Sequence, residues 1–198
     1  MNISDLGFVK GRIAETIVTT YNSDKSPNAA PIGVHTAGDG EISMNIHTTS
    51  DTFNNIVRTG GCVINVVFDP YLFLKTCLVG SGKAGKENEV SSTDVLQAKN
   101  VPAPYLKEAN AIIESKLISH KEQVISDRYN ESEFSTVRFQ IAGVTVNKRH
   151  PVAVTRGLYA AIELAISLSR GREPDERYLK IMKKTLEKEK YNKIMELL

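Results

Sequence analysis

Ile13-Ala14-Glu15-Thr16-Ile17-Val18-Thr19-Thr20-Tyr21 and, beyond a turn, Asn28-Ala29-Ala30-Pro31-Ile32-Gly33-Val34-His35 are the stretches whose reading decides the fold. The first is rich in β-branched residues, which suit a pleated, half-buried surface. Between them lies Asn22-Ser23-Asp24-Lys25-Ser26-Pro27, a run of turn formers, so the pair reads as a β-hairpin. Pro31 has no N–H to give to a ladder, which sends it to an edge or a bulge.

Outward from the hairpin, Gly38-Asp39-Gly40 makes a turn, and Glu41 to Ile46 alternates apolar and polar residues as a strand does. Thr48-Thr49-Ser50-Asp51 then offers a set of helix N-caps. Phe53, Ile56 and Val57 have helical spacing and Gly60-Gly61 suits a C-cap, which predicts a short helix from Asp51 to Thr59. Cys62 to Phe68 reads as a buried strand closed by Asp69-Pro70, and a loop rich in Gly, Ser and Lys runs from Gly80 to Thr93. Ala109 to His120 and Ser135 to Asn147 read as further strands, with Gly143 as a bulge. Thr155 to Arg170 carries an apolar helical stripe stopped by Gly171, and a second helix runs from Pro174 to the end.

The 198 residues carry 25 basic and 23 acidic side chains, a net charge of +2. That balance shows no basic excess of the kind a nucleic-acid surface gathers. No apolar run is long enough for a bilayer, and Met1-Asn2-Ile3-Ser4-Asp5 lacks the features of a signal peptide. With Cys62 and Cys77 in apolar surroundings, a reducing, cytoplasmic setting is expected. His35, His47, His120 and His150 have no ligand-pair spacing, so no metal site is expected. Gly80-Ser81-Gly82-Lys83-Ala84-Gly85-Lys86 matches P-loop spacing, but Glu87 stands where that motif needs Ser or Thr. It reads as a solvated loop.

Polar and small residues gather where a core would be apolar. Thr19, Thr20, Asn28, Ala29, Ala30, Pro31, Ile32 and Gly33 come from the hairpin; Asn45, Thr48, Thr49, Ser50, Thr52 and Asn55 follow a strand into a helix start. Hydroxyls beside free N–H groups at a helix start suit an anion, and small residues let a flat ring approach backbone amides. Helix capping and an edge strand account for the same residues, and the Asp51 charge opposes an anion there.

The hairpin, together with Ser50-Asp51-Thr52-Phe53-Asn54-Asn55-Ile56, Val63-Ile64-Asn65-Val66 and Phe139-Gln140-Ile141-Ala142-Gly143-Val144-Thr145-Val146, resembles the flavin-reductase-like, FMN-binding split barrels. Over nearly its full length the chain resembles the DUF447 family of mainly archaeal proteins. Asn147-Lys148-Arg149-His150-Pro151 and Thr155-Arg156-Gly157-Leu158-Tyr159-Ala160-Ala161-Ile162-Glu163 are similar to that family's C-terminal signature. The resemblance implies a mainly β fold with α. It has a split β-barrel over residues 1–150 and a C-terminal helical hairpin over 151–198 packed on the barrel.

It also implies FMN at the two-fold interface of a homodimer, with Asn28 to Gly33 facing the isoalloxazine and Ser50, Thr52 and Asn55 holding the phosphate. No basic residue stands in Ser50 to Thr52, so Arg149 and Arg156 become the candidate cations. FMN carries its own redox chemistry, so no catalytic acid or base is named. The expected function is an FMN-dependent oxidoreductase using NAD(P)H or a deazaflavin with a small-molecule redox partner. The alternatives are a non-catalytic flavin-binding protein for storage or regulation, or a split barrel holding haem or a pterin.

Overall fold

The structure, a computed structural model, describes residues 2–38, 40–80, 89–126, 131–147 and 156–198. These fall into two compact units, one made of Met1–Val66 with Val90–Lys148 and the other of Val67–Glu89 with Arg149–Leu198. The second unit thus draws on a mid-chain segment as well as the C-terminus. The boundary expected at 150/151 lies outside the described residues.

The first unit is a closed barrel of strands β1 (Ile13–Tyr21), β2 (Pro27–Gly38), β3 (Glu41–His47), β4 (Gly61–Val66), β7 (Ala111–Ser126) and β8 (Glu131–Val146). Its order is β1-β2-β3-β8-β7-β4, with antiparallel pairing throughout. The mainly β barrel with α is the architecture expected of a split barrel. Alternation directs Val18, Val34, Ile42, Met44, Ile64, Ile113, Val137 and Phe139 into one buried core. Ile3 and Phe8 of the N-terminal segment join that core, as do Phe53 and Ile56 of helix α1 (Asp51–Thr59). That helix has the bounds the sequence predicts, with Ser50 as N-cap and Gly60 as C-cap at φ 78. The bulge expected at Gly143 is present: Glu114 pairs with Gly143 and Ser115 with Ile141, which leaves Ala142 as the extra residue.

Two features of the barrel matter for function. β1 pairs with the whole of β2 from Pro27 to His35, but β3 pairs with β2 only from Val34 to Gly38. Among the described residues, no strand therefore pairs with Asn28 to Gly33 on their β3 side, and the proline at 31, which lacks an N–H, lies within that edge. In addition, β7 and β8 run well past their neighbours: β4 accompanies β7 only from Ala111 to Lys116. A two-stranded sheet of β5 (Val95–Gln97) and β6 (Pro104–Leu106) completes the unit.

The second unit is helical: α2 (Pro70–Gly80), α3 (Arg156–Ser169), α4 (Glu176–Thr185) and α5 (Lys188–Met195). Leu74, Cys77, Ala161, Leu164, Leu168, Met182, Ile194 and Leu197 share its core. The sequence reading gave α2 no helix. It is apolar on most sides, so no amphipathic period marks it, although Asp69 caps it through the Tyr71 N–H at 2.9 Å and Pro70 begins it. The single terminal helix expected from Pro174 onward is two helices. Leu186 is extended (φ −95, ψ 157) and lies over Gly157, where a Cβ would come within 2.5 Å of its side chain. The hairpin is therefore a three-helix segment, broken where Leu186 needs a close approach.

Candidate functional site

β1, β2 and α1 bring four of the expected site residues into one buried polar cluster. Thr20 and Asn28 are directly opposed across the hairpin, and their side chains share one face. Asn28 Nδ2 donates to Thr20 Oγ1 and to Thr52 Oγ1, both at 3.0 Å. Asn55 Nδ2 donates to Thr20 Oγ1 at 3.1 Å and to Asn22 Oδ1 at 2.8 Å. All four of Thr20, Asn28, Thr52 and Asn55 are buried. Thr52 and Asn55 are three apart on the inner face of α1, the spacing that stacks side chains over one helical turn.

Arg58 completes the cluster and is the cation that sequence reasoning missed. One turn beyond Asn55, its Nη2 donates to Asn55 Oδ1 at 3.0 Å and to the Tyr21 carbonyl. Helical side chains lean toward the N-terminus, which brings this guanidinium back beside the hairpin tip. Because a guanidinium only donates, it fixes the Asn55 oxygen toward itself and the amide nitrogen toward Thr20. The residue is exposed. The legible signal was the Asn55/Arg58 spacing on a helix whose bounds were already predicted. Burial raises the pKa of the neighbouring Tyr21 phenol above its usual value.

Other expected residues lie elsewhere. Thr19 is on the opposite face of β1, where its hydroxyl donates to the Pro104 carbonyl at 2.6 Å and accepts from Asn65 Nδ2 at 2.9 Å. Asn65, a polar residue inside an apolar strand, is a hub: Nδ2 also donates to the Ile17 carbonyl at 2.9 Å, and Oδ1 accepts the Leu106 N–H at 2.8 Å. It clips β6 to the barrel. Asn45 lies on the outer face of β3 and accepts from Thr136 Oγ1 at 2.7 Å. Thr48 sits beside Glu133 at the end of β8. Ser50 spends its oxygen on capping, accepting the Phe53 N–H at 3.2 Å while donating to the His47 carbonyl at 2.8 Å.

Along the β2 edge, Ala29 is buried and Ala30, Pro31, Ile32 and Gly33 are half-buried. Peptide groups alternate sides along an antiparallel strand, so every other residue from Asn28 to Gly33 directs its backbone polar groups to the open side. Gly33 has a close neighbour on its outer face: a Cβ there would come within 2.7 Å of Ile13 Cγ2. Arg156 is exposed at the first residue of α3, in the second unit. Arg149 lies outside the described residues.

Solved structures share this fold. An FMN-bound DUF447 protein from Methanosarcina mazei is 21% identical, with a TM-score of 0.77 over 99% of this chain and 98% of that one. A flavoredoxin of Desulfovibrio vulgaris is 21% identical with a TM-score of 0.52, covering 68% of this chain and 70% of its own. A 2-nitrobenzoate 2-nitroreductase from Pseudomonas fluorescens is 22% identical with a TM-score of 0.53, covering 74% and 73%. The family model described as the N-terminal domain of the protein of unknown function DUF447 matches residues 14–148, and the chain belongs to that family.

Proposed function

We propose that this chain is an FMN-binding flavoprotein acting as an oxidoreductase of the flavin-reductase-like class, in a homodimer. The carrying observation is the unpaired β2 edge from Asn28 to Gly33 beside the start of α1, with a guanidinium held over the same cluster. The donor set fits the cofactor. A strand edge offers peptide N–H and C=O groups to the polar rim of a flat heterocycle, and Ala29, Ala30 and Gly33 keep that approach low. The start of α1 offers N–H groups and the Thr52 hydroxyl to a phosphate, and Arg58 offers charge-assisted donors. Bound FMN would supply the electron-accepting centre.

The chain's own part is to hold, orient and desolvate. Asn28 and Asn55 fix Thr20 and Thr52, and through them the angle of α1 against the hairpin. The buried side chains of the cluster are amides and hydroxyls, which suits binding without proton transfer at those side chains and supports a storage or regulatory role as the second reading. Turnover of NAD(P)H or a reduced deazaflavin separates the two. The two buried thiols, Cys62 and Cys77, support a reducing, cytoplasmic setting.

The test is calorimetric titration with FMN and riboflavin, alongside the spectrum of the purified protein. FMN binding tighter than riboflavin supports the reading; failure to bind either flavin overturns it. Arg58→Gln and Arg156→Ala then locate the phosphate cation. Loss of a charge-assisted bond should weaken FMN about ten- to hundred-fold with little effect on riboflavin. If Arg156→Ala alone has that signature, the cation comes from the second unit.

A further inference from the structure

We propose that the open stretch of β2 selects a ring that donates an N–H to it, a cyclic imide, and that Pro31 sets this preference. The proposal rests on the flavin reading above and names the ring edge that this chain recognises.

The proline decides which peptide groups are available. β1 and β2 pair without a register shift from Ile13 with His35 to Tyr21 with Pro27, and Ile17 lies opposite Pro31. Opposed residues in an antiparallel pair alternate between exchanging both backbone bonds and exchanging none. Pro31 has no N–H, so its pair with Ile17 exchanges none, and Thr16 with Ile32, Val18 with Ala30 and Thr20 with Asn28 carry the ladder. Two side-chain bonds agree. Thr16 Oγ1 donates to the Ile32 carbonyl at 2.9 Å, and the Ile17 carbonyl accepts from Asn65 Nδ2 of β4 at 2.9 Å, on the side of β1 away from β2. Ala29, Pro31 and Gly33 therefore turn their backbone groups away from β1, to the side where β3 pairs only from Val34 onward.

The three residues are not equivalent. Ala29 is buried, and Gly33 adjoins the first β2–β3 pair, Val34 with Met44. Pro31 between them is half-buried and presents a carbonyl with no N–H beside it. A strand added here would lose a ladder bond at its centre. A ligand edge made only of acceptors would leave that carbonyl without a donor, which a partly desolvated carbonyl requires. An imide N–H supplies the donor, and the ring carbonyls on either side of it can accept the N–H of Gly33 or Ala29. The pyrimidine ring of an isoalloxazine carries this arrangement, N3–H between two carbonyls. The rim of a haem carries hydrocarbon and carboxylates and no N–H, so the same edge disfavours haem.

The test compares FMN with FMN methylated at N3, where a methyl group replaces the imide proton. The wild-type chain should bind the methylated flavin about tenfold more weakly or worse, because the Pro31 carbonyl then has no donor. Bulk alone can exclude a methyl group, so a second measurement follows the carbonyl itself. In protein labelled with carbon-13 at its proline carbonyls, the Pro31 resonance, assigned by its loss in Pro31→Ala, should move when FMN is added. Equal affinity for the two flavins, or a Pro31 carbonyl resonance that FMN binding leaves in place, overturns the proposal and leaves the flavin reading standing. Failure to bind either flavin overturns both.

Discussion

Asn65 shows how one amide decides local architecture. It is buried within an apolar strand and bonds to β1 through the Ile17 carbonyl and Thr19, and to β6 through the Leu106 N–H. Asn65→Ala removes the side-chain acceptor of the buried Leu106 N–H and a donor to the Ile17 carbonyl. A buried N–H so orphaned costs about 1–3 kcal/mol, so urea unfolding should show a loss of roughly 2 kcal/mol or more; a loss under about 0.5 kcal/mol would mean that water replaces the amide. Two glycines make a sharper contrast. A Cβ at Gly61 would sit 2.9 Å from the Ser115 carbonyl oxygen, a backbone atom that cannot give way without moving β7. At Gly33 the obstacle is Ile13 Cγ2, a side-chain methyl of a residue that is 58% exposed, which can move aside through a change of χ1 without shifting backbone. Gly61→Ala should lower the melting temperature markedly, and Gly33→Ala by no more than a few degrees; equal shifts would contradict this reading. Cys62 lies in the barrel core, where burial pushes its thiol pKa well up and keeps it protonated. It should resist thiol reagents in the native state and react on unfolding.

Among the elements, α1 was the most legible and α2 the least. α1 carries local punctuation at both ends and a buried face of Thr52, Phe53, Asn55 and Ile56. α2 lacks a polar face, so nothing in its sequence announced a helix except its Asp-Pro start. The capping role of Ser50 gives a prediction at this scale. Ser50→Ala removes the acceptor for the Phe53 N–H and should destabilise the protein by about 1 kcal/mol. If instead stability is unchanged while FMN binding falls, the hydroxyl serves the ligand and the cap is secondary. The polar cluster ties this helix to the hairpin in addition to its apolar residues. Asn55→Leu would remove the acceptor of Arg58 and two donors at once. It should loosen the hairpin tip, read as faster amide exchange at Tyr21 and Asn22, even where the buried leucine keeps the core filled.

For the whole molecule, a ligand that binds only the folded state raises stability as the logarithm of one plus the ratio of its free concentration to its Kd. FMN should therefore raise the melting temperature more than riboflavin at equal concentration, and that difference should shrink in Arg58→Gln; identical shifts from both flavins would remove the phosphate from the account. The sequence alone determined the hairpin, the helix Asp51–Thr59, the bulge near Gly143 and the family resemblance, because turn residues, caps and alternation act within a few neighbouring positions. It also marked Thr20, Asn28, Thr52 and Asn55 as polar where a core would be apolar. Only the tertiary structure decided that these four form one hydrogen-bonded cluster, and that Thr19, one residue away, faces the other side of the sheet toward Asn65 and Pro104. It alone revealed Arg58 as the cation beside them, split the terminal helix at Leu186 and left β2 open from Asn28 to Gly33. Those outcomes depend on register between strands distant in sequence and on which side chain fills a given space, and local pattern carries neither.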